Sequence, residues 1–475
     1  MYVRGMMRSA FLFLTLGCVF PLSAQTPSSG KLITLNVAAT NSRDEPVTDL
    51  QASDLQLRED GKPQPIAFFH FAGSNRNSAA HSPGEFDNHA AAAPVIILFD
   101  RWNERLVLAG RSGIELGTAI QKLETAGNIY IYFLTNKGEL APIHPLPGTD
   151  ADLRAADPSP QELRDELEHG IQEYQGFHAR DDMNVRLQKT FDGLNMLRLK
   201  MGTLAGRKSL IWVTQGLPLV FRAAGNAIVD LTPEVRKMSE LMAQSQTAIY
   251  TVDQTNGVGS ELSRTLQLFS GLTGGRWSSH DNPAGALADA MTDARGSYRI
   301  SYYSAAVEKE GKETKIRVDT TRKGVHLLTR EGLTPEPAGP SPEQQEAARF
   351  DNQIRSPLEA TEIGLRVAIS RKPQSDSVHF DIRADTADVL VQPDGDRYKV
   401  ELDMITALYD GNSVKVTSPA TRVDLTMTKA QLDQATKDGI PFPMDVPVSN
   451  QVQKVRVIVL DPKLQALGSV TIPTK

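Results

Sequence analysis

Three apolar runs stop at polar side chains that could do chemistry. Val95-Ile-Ile-Leu-Phe99 ends in Asp100, Ser209-Leu-Ile-Trp-Val213 runs through Thr214 into Gln215, and Ala248-Ile-Tyr-Thr-Val252 ends in Asp253. Continuous apolar runs of this length read as strands buried on both faces. Where such strands are parallel, ligands gather at their carboxyl ends. Asp100 is followed by Trp102, Asn103 and Glu104. Asp100, Asn103 and Glu104 carry the hard oxygens that Mg²⁺ takes. Trp102 is either an aromatic anchor for a partner or a lid packed over the sheet end. Asp100 has a plainer role open to it, which is to order its own loop by accepting backbone N–H groups. Asp100 and Asp253, as two carboxylates at strand ends, would also suit a metal-dependent hydrolase. No convincing nucleophile or general base accompanies them.

Other motifs fall away on spacing. Ser270-Gly271-Leu-Thr-Gly274-Gly275 lacks the Lys-Ser/Thr of a phosphate-binding loop and precedes a strand, so it reads as a tight helix-to-strand turn. The nine histidines form no His-Glu-x-x-His pair, and no Gly-x-Ser-x-Gly elbow is present.

The elements that must position these residues change character along the chain. Residues 31–72 read as short strands, with Asp60-Gly61 a hairpin turn, and 73–93 as a linker rich in Ser, Asn, His, Gly and Ala. Residues 94–296 alternate strands and helices, which implies a mostly parallel sheet with helices on both faces. Strands return over 297–332, a Pro- and Glu-rich linker spans 333–356, and 357–475 alternates as a small β-sandwich does. Residues 31–71 are too short to bury a core alone. They are predicted to pair with strands of 297–330, so that 94–296 is inserted into one β-module.

The first 24 residues carry Arg4 and Arg8, then an apolar run from Ala10 to Leu22, then Ser23-Ala24. This is the layout of a signal peptide cleaved after Ala24. The run is shorter than the roughly 20 residues a membrane span needs. Cys18, the one cysteine, lies within it, so the mature chain would have no thiol for a disulfide, a nucleophile or a zinc site. The net charge of −6, less those two arginines, becomes about −8 after cleavage. A mildly acidic chain with no Lys/Arg cluster argues against nucleic acid or anionic lipid as the main partner. The 40% hydrophobic and 23% charged content is that of a globular protein rather than a disordered or fibrous one.

The order of pieces resembles the von Willebrand factor type A domain, more narrowly its exported VWFA-related family. The resemblance rests on Val47–Ile66 with Leu-Arg-Glu-Asp-Gly-Lys, Val95–Asp100, Gly206-Arg-Lys-Ser-Leu-Ile-Trp-Val-Thr214, Tyr250–Asp253 with Thr273-Gly-Gly275, and Tyr298–Tyr303. It covers about residues 31–332. It implies an α/β fold: a VWA-like, doubly wound, mostly parallel sheet, here flanked by a small β-module and a C-terminal β-sandwich. It also implies a metal-ion-dependent adhesion site of Asp-x-Ser-x-Ser form. That pattern is degenerate here, because Trp102 and Glu104 stand at the two Ser positions and Gln215 at the late Asp position. Asp100, Asn103 and Glu104 are what remains to hold Mg²⁺, and the expectation is that no cofactor is bound.

The function expected is a non-enzymatic, exported protein of the periplasm, cell envelope or exterior. It would bind a protein ligand through Asp100, Trp102, Asn103, Glu104 and Gln215, with no nucleic acid and no membrane span in the mature chain. A metal-dependent hydrolase and a purely structural envelope scaffold are the alternatives.

Overall fold

The computed structural model describes residues 30–73, 84–88, 92–104, 111–147, 158–174, 182–223, 226–255, 261–304, 314–333, 341–371, 377–410, 413–449 and 451–474. The expected signal peptide, residues 1–24, lies outside them, as does most of the 73–93 stretch.

Strand Lys31–Asn41 pairs antiparallel with Ser297–Ser304, Thr34 opposite Ser301, and Ser297–Ser304 pairs in turn with Phe68–Phe71. A second antiparallel sheet joins Leu55–Glu59 to Lys62–Gln64 and to Thr314–Thr320. Asp60 and Gly61 both take positive φ, 47° and 80°, which the two-residue turn between Leu55–Glu59 and Lys62–Gln64 requires. Leu35, Val37, Leu57, Tyr298, Ile300 and Val318 form the core shared by these sheets. The Tyr298 hydroxyl donates to Val47 O at 3.0 Å and accepts from Leu50 N at 3.0 Å, pinning the irregular segment between them.

Between these strands the chain builds a six-stranded sheet. Its order is Trp277–Ser278, Thr247–Asp253, Lys208–Thr214, Val95–Asp100, Ile129–Leu134, Leu140–His144. Alternate side chains enter different apolar clusters, Ile96 and Leu98 on one face and Val95, Ile97 and Phe99 on the other. Both faces are therefore dry, which explains the uninterrupted hydrophobic runs.

The C-terminal region holds two antiparallel sheets. One contains Leu365–Arg371, Ser377–Ala384 and Ile440–Pro447; the other is built on Arg397–Asp410, Lys454–Asp461 and Ala466–Pro473. Their facing side chains, among them Val367, Phe380, Ile382, Val400, Val455 and Val470, share one apolar cluster.

This architecture overturns the α/β, VWA-like doubly wound sheet as the fold class. Among the described residues more lie in strands than in helices, and parallel pairing is confined to one sheet of six. Even there the edge Leu140–His144 runs antiparallel to Ile129–Leu134. The chain is β-rich and predominantly antiparallel. The physical reason is that most of its strands pair with antiparallel neighbours, some through tight hairpins such as Leu55–Glu59 with Lys62–Gln64 and Lys454–Asp461 with Ala466–Pro473, others with strands far away in the chain. Two stretches read as linker also contain structure. Glu85–Asp87 adds a strand to Leu365–Arg371. Pro342–Arg355 is a helix that Ser341 caps, its hydroxyl accepting from Gln344 N while the Gln344 side chain accepts from Ser341 N.

Candidate functional site

Asp100, Thr214 and Asp253 close three consecutive strands of the six-stranded sheet. Asp253 stands in register with Thr214, and Phe99 with Val213. One strand separates the two carboxylates, about 10 Å at ordinary strand spacing.

Asp100 is buried and fully engaged. Its Oδ2 accepts from Thr214 Oγ1 at 2.7 Å, Asn103 Nδ2 at 2.7 Å and Trp212 Nε1 at 3.2 Å, and its Oδ1 accepts from Asn103 N at 3.0 Å. Burial pushes its pKa above the usual carboxylate range, outweighing the donors from Asn103, Thr214 and Trp212 that favour the anion. Asp253 is likewise buried. Its Oδ1 accepts from Thr255 N and Oγ1 at 2.8 and 2.6 Å, and its Oδ2 from Ser263 Oγ at 2.6 Å. It thereby ties the loop to the helix Glu261–Thr273.

The other sequence-derived residues take supporting positions. Asn103 is fully buried, donates also to Thr190 Oγ1 at 2.9 Å, and accepts from Arg186 at 2.9 Å through Oδ1. Glu104 accepts from Arg101 at 2.7 Å. Trp102 is only 5% exposed. It packs among Leu187, Leu194 and their neighbours and donates its indole N–H to Arg186 O at 3.1 Å. Of the two roles open to Trp102, the structure places it in the packed one. Gln215 is also buried. Arg186, Thr190 and Trp212 complete the cluster without having been foreseen. Two of them come from the helix Met183–Met201.

The donor set does not fit Mg²⁺ as arranged. Both oxygens of Asp100 and the Oδ1 of Asn103 already accept hydrogen bonds, and Glu104 is held by a cation. Among the described residues no group of three His, Cys, Asp or Glu is placed to hold a metal.

Elements that adjoin this end of the sheet also carry exposed aliphatic side chains. Ile114, in the helix that follows Asp100, is 60% exposed, and Val185, beside Arg186, is 42% exposed. Beyond Thr214 the chain makes a hairpin, Val220–Arg222 with Ile228–Asp230. Phe221 and Val229 turn into the core. Val220 and Ile228 lie on the other side, Ile228 68% exposed.

No family model matches the chain, and no curated protein matches it. Among solved structures it is similar to the pilus adhesin SpaC from Lactobacillus rhamnosus GG, at 9% identity and a TM-score of 0.28 over 90% of this chain. The open conformation of SpaC gives 9% identity and 0.29 over 89%. Three N-terminal domains of the type V pili tip protein Mfa5 from Porphyromonas gingivalis give 9% identity and 0.27 over 90% of this chain and 78% of that one. The chain spans 58% of the first SpaC structure and 56% of the open one. TM-scores this low do not define a shared fold.

Proposed function

We propose that the chain is an exported, non-enzymatic binding protein that holds a protein ligand against the carboxyl end of its six-stranded sheet. The observation that carries this reading is the exposure of Ile114, Val185, Val220 and Ile228 on elements that adjoin this end of the sheet, beside a buried, internally bonded centre. Exposed aliphatic side chains backed by a packed scaffold suit a protein surface better than a small polar substrate. In this reading Asp100, Trp102, Asn103 and Gln215 hold the face in shape rather than touch the ligand, and Glu104 stands at its edge. Saturation of Asp100 and Asp253 by hydroxyl and amide donors leaves neither as a general base, which speaks against hydrolysis.

Photo-crosslinkers placed at 185 and 228 test the reading, with exposed Val416 of the C-terminal region as control position. The same partner should be trapped from both of these positions and not from 416, and Ile228→Asp should abolish trapping at 185. Equal labelling at 416, or trapping indifferent to Ile228→Asp, would sink it.

A further inference from the structure

The opposite end of the six-stranded sheet holds a cavity of about 380 Å³. Pro94, Asn128, Arg207 and Gln246 line it, and each directly precedes one of the four central strands. The rest of the wall includes Ser297 and Arg299 of the antiparallel sheets and Glu359 and Glu362 ahead of the C-terminal sheets. All three parts of the chain meet here.

The carboxylates in the wall are saturated. Glu362 accepts from Gln246 Nε2 at 2.7 Å, Arg349 at 3.1 Å, Leu467 N at 3.2 Å and Arg299 at 3.5 Å. Burial pushes its pKa up, but Arg349 and Arg299 together hold it below the usual value. Glu359 accepts from Ser469 Oγ and from Thr471 N, with Arg456 3.9 Å away. Asp388, next to Arg299, accepts from Gly364 N and pairs with His70 at 2.8 Å.

The donors are not saturated. Arg207 donates to the Tyr250 hydroxyl and Gly274 O, and Arg299 to Glu362 and Asp388 O, yet the Nε of each is buried with no partner. The Ser297 hydroxyl is buried and unpartnered too. Buried polar groups almost always find partners, and leaving one unmade costs about 1–3 kcal/mol. Three unfilled donors thus belong to residues that line one cavity, and both carboxylates of its wall are already occupied. We propose that this cavity binds a small oxyanion, phosphate or carboxylate, between Arg207, Arg299 and Ser297. An anion there would meet Glu359 and Glu362 only as already paired groups, and it would fasten the three parts of the chain at their common junction. The site is remote from the proposed ligand face and stands or falls independently of it.

Calorimetric titration of the full chain with inorganic phosphate, and separately with acetate, tests the proposal. Thermal unfolding is followed in parallel, with chloride at matched ionic strength as reference. Saturable heat is expected for at least one anion. Arg207→Gln should weaken binding about tenfold or more, the scale of one charge-assisted hydrogen bond. Ser297→Ala should weaken it several-fold while leaving the unliganded melting temperature unchanged or higher, because its hydroxyl bonds nothing. Phosphate also stabilises proteins by exclusion from their surface. A shift equal in all three proteins would therefore overturn the site, as would the absence of heat with both anions.

Discussion

The Thr214 hydroxyl donates to Asp100 Oδ2 at 2.7 Å and so locks together the carboxyl ends of two adjacent parallel strands. Trp212, two residues earlier on the same strand, adds a second bond to that oxygen. Asp100→Asn would set an amide against these donors or against Asn103 N, whichever way it turned. The expected cost is about 1–3 kcal/mol for the group left unsatisfied. Urea denaturation measures it, and a variant as stable as the parent would show that this network contributes nothing.

Trp102→Ala should behave as a core truncation. The ring is packed against the helix Met183–Met201 and its N–H bonds Arg186 O, so a loss of about 3–5 kcal/mol is expected. A change below 1 kcal/mol in chemical denaturation would contradict the packed position. Any ligand-binding defect in this variant has to be compared with Ile228→Asp, whose side chain is exposed.

Lys208 gives a pH signature. It opens a fully buried strand and donates to Leu204 O and Gly206 O at 2.8 and 2.7 Å. Burial holds its pKa down to about 7, with Glu362 pulling it upward and Arg349 pushing it lower. In the unfolded chain a lysine titrates near ~10.4. A base depressed on folding contributes stability that is complete above the unfolded value and is lost as pH falls toward the folded one. Measured against Lys208→Met, the parent should gain stability between about pH 7 and pH 10, with a slope of at most about 1.4 kcal/mol per pH unit. Urea midpoints at several pH values read this directly, and a flat difference would refute it.

Gly275→Ala should be strongly destabilising. A Cβ at this position would sit 2.0 Å from Ile249 O, backbone that cannot move aside, and the preceding Gly274 holds φ at +75°. Loss of soluble protein, or a fall of several degrees in melting temperature, is expected. A melting temperature equal to the parent's would be inconsistent with so close an approach.

The two classes of strand differed sharply in how legible they were. Val95–Asp100, Ile129–Leu134, Lys208–Thr214 and Thr247–Asp253 stand out because burial on both faces demands unbroken apolar sequence. That strong signal dominates the fold class, although the flanking 31–72, 297–332 and 357–475 read as β-modules. The more numerous antiparallel strands, such as Arg397–Asp410 with its mixed burial, interleave apolar and polar residues and give a weaker local signal. Glu85–Asp87 is three residues long and takes its strand character from its partner, so nothing local announces it. The helix Pro342–Arg355 did carry a signal, the Ser341-x-x-Gln344 capping pair, hidden in a stretch whose proline and glutamate suggested a linker.

At the candidate site the strand-end positions of Asp100 and Asp253 could be read directly. The groups that saturate them could not. Arg186 and Thr190 lie more than 80 residues from Asn103, and polar side chains on a helix look alike whether they face water or a buried carboxylate. The junction of Glu362 with Arg299, Arg349 and Gln246 gathers residues 63, 13 and 116 positions away in the chain. In both places what decides the chemistry is which donors the fold delivers.

The ladder between Lys31–Asn41 and Ser297–Ser304 sets a timetable for synthesis. Thr34 and Ser301, opposite each other and joined through their hydroxyls, are 267 residues apart in the chain. At the roughly 5–20 residues per second of translation, the first strand emerges about 13–50 s before its partner exists. Its alternating apolar face must stay unpaired for that time, while the six-stranded sheet, whose strands are all made in the interval, can already form. The entropy of closing so long a loop is reduced once that sheet has drawn its two ends together. The inserted sheet thus acts as an internal template for the ladder that encloses it, and a defect such as Gly275→Ala should delay that ladder as well as its own neighbours.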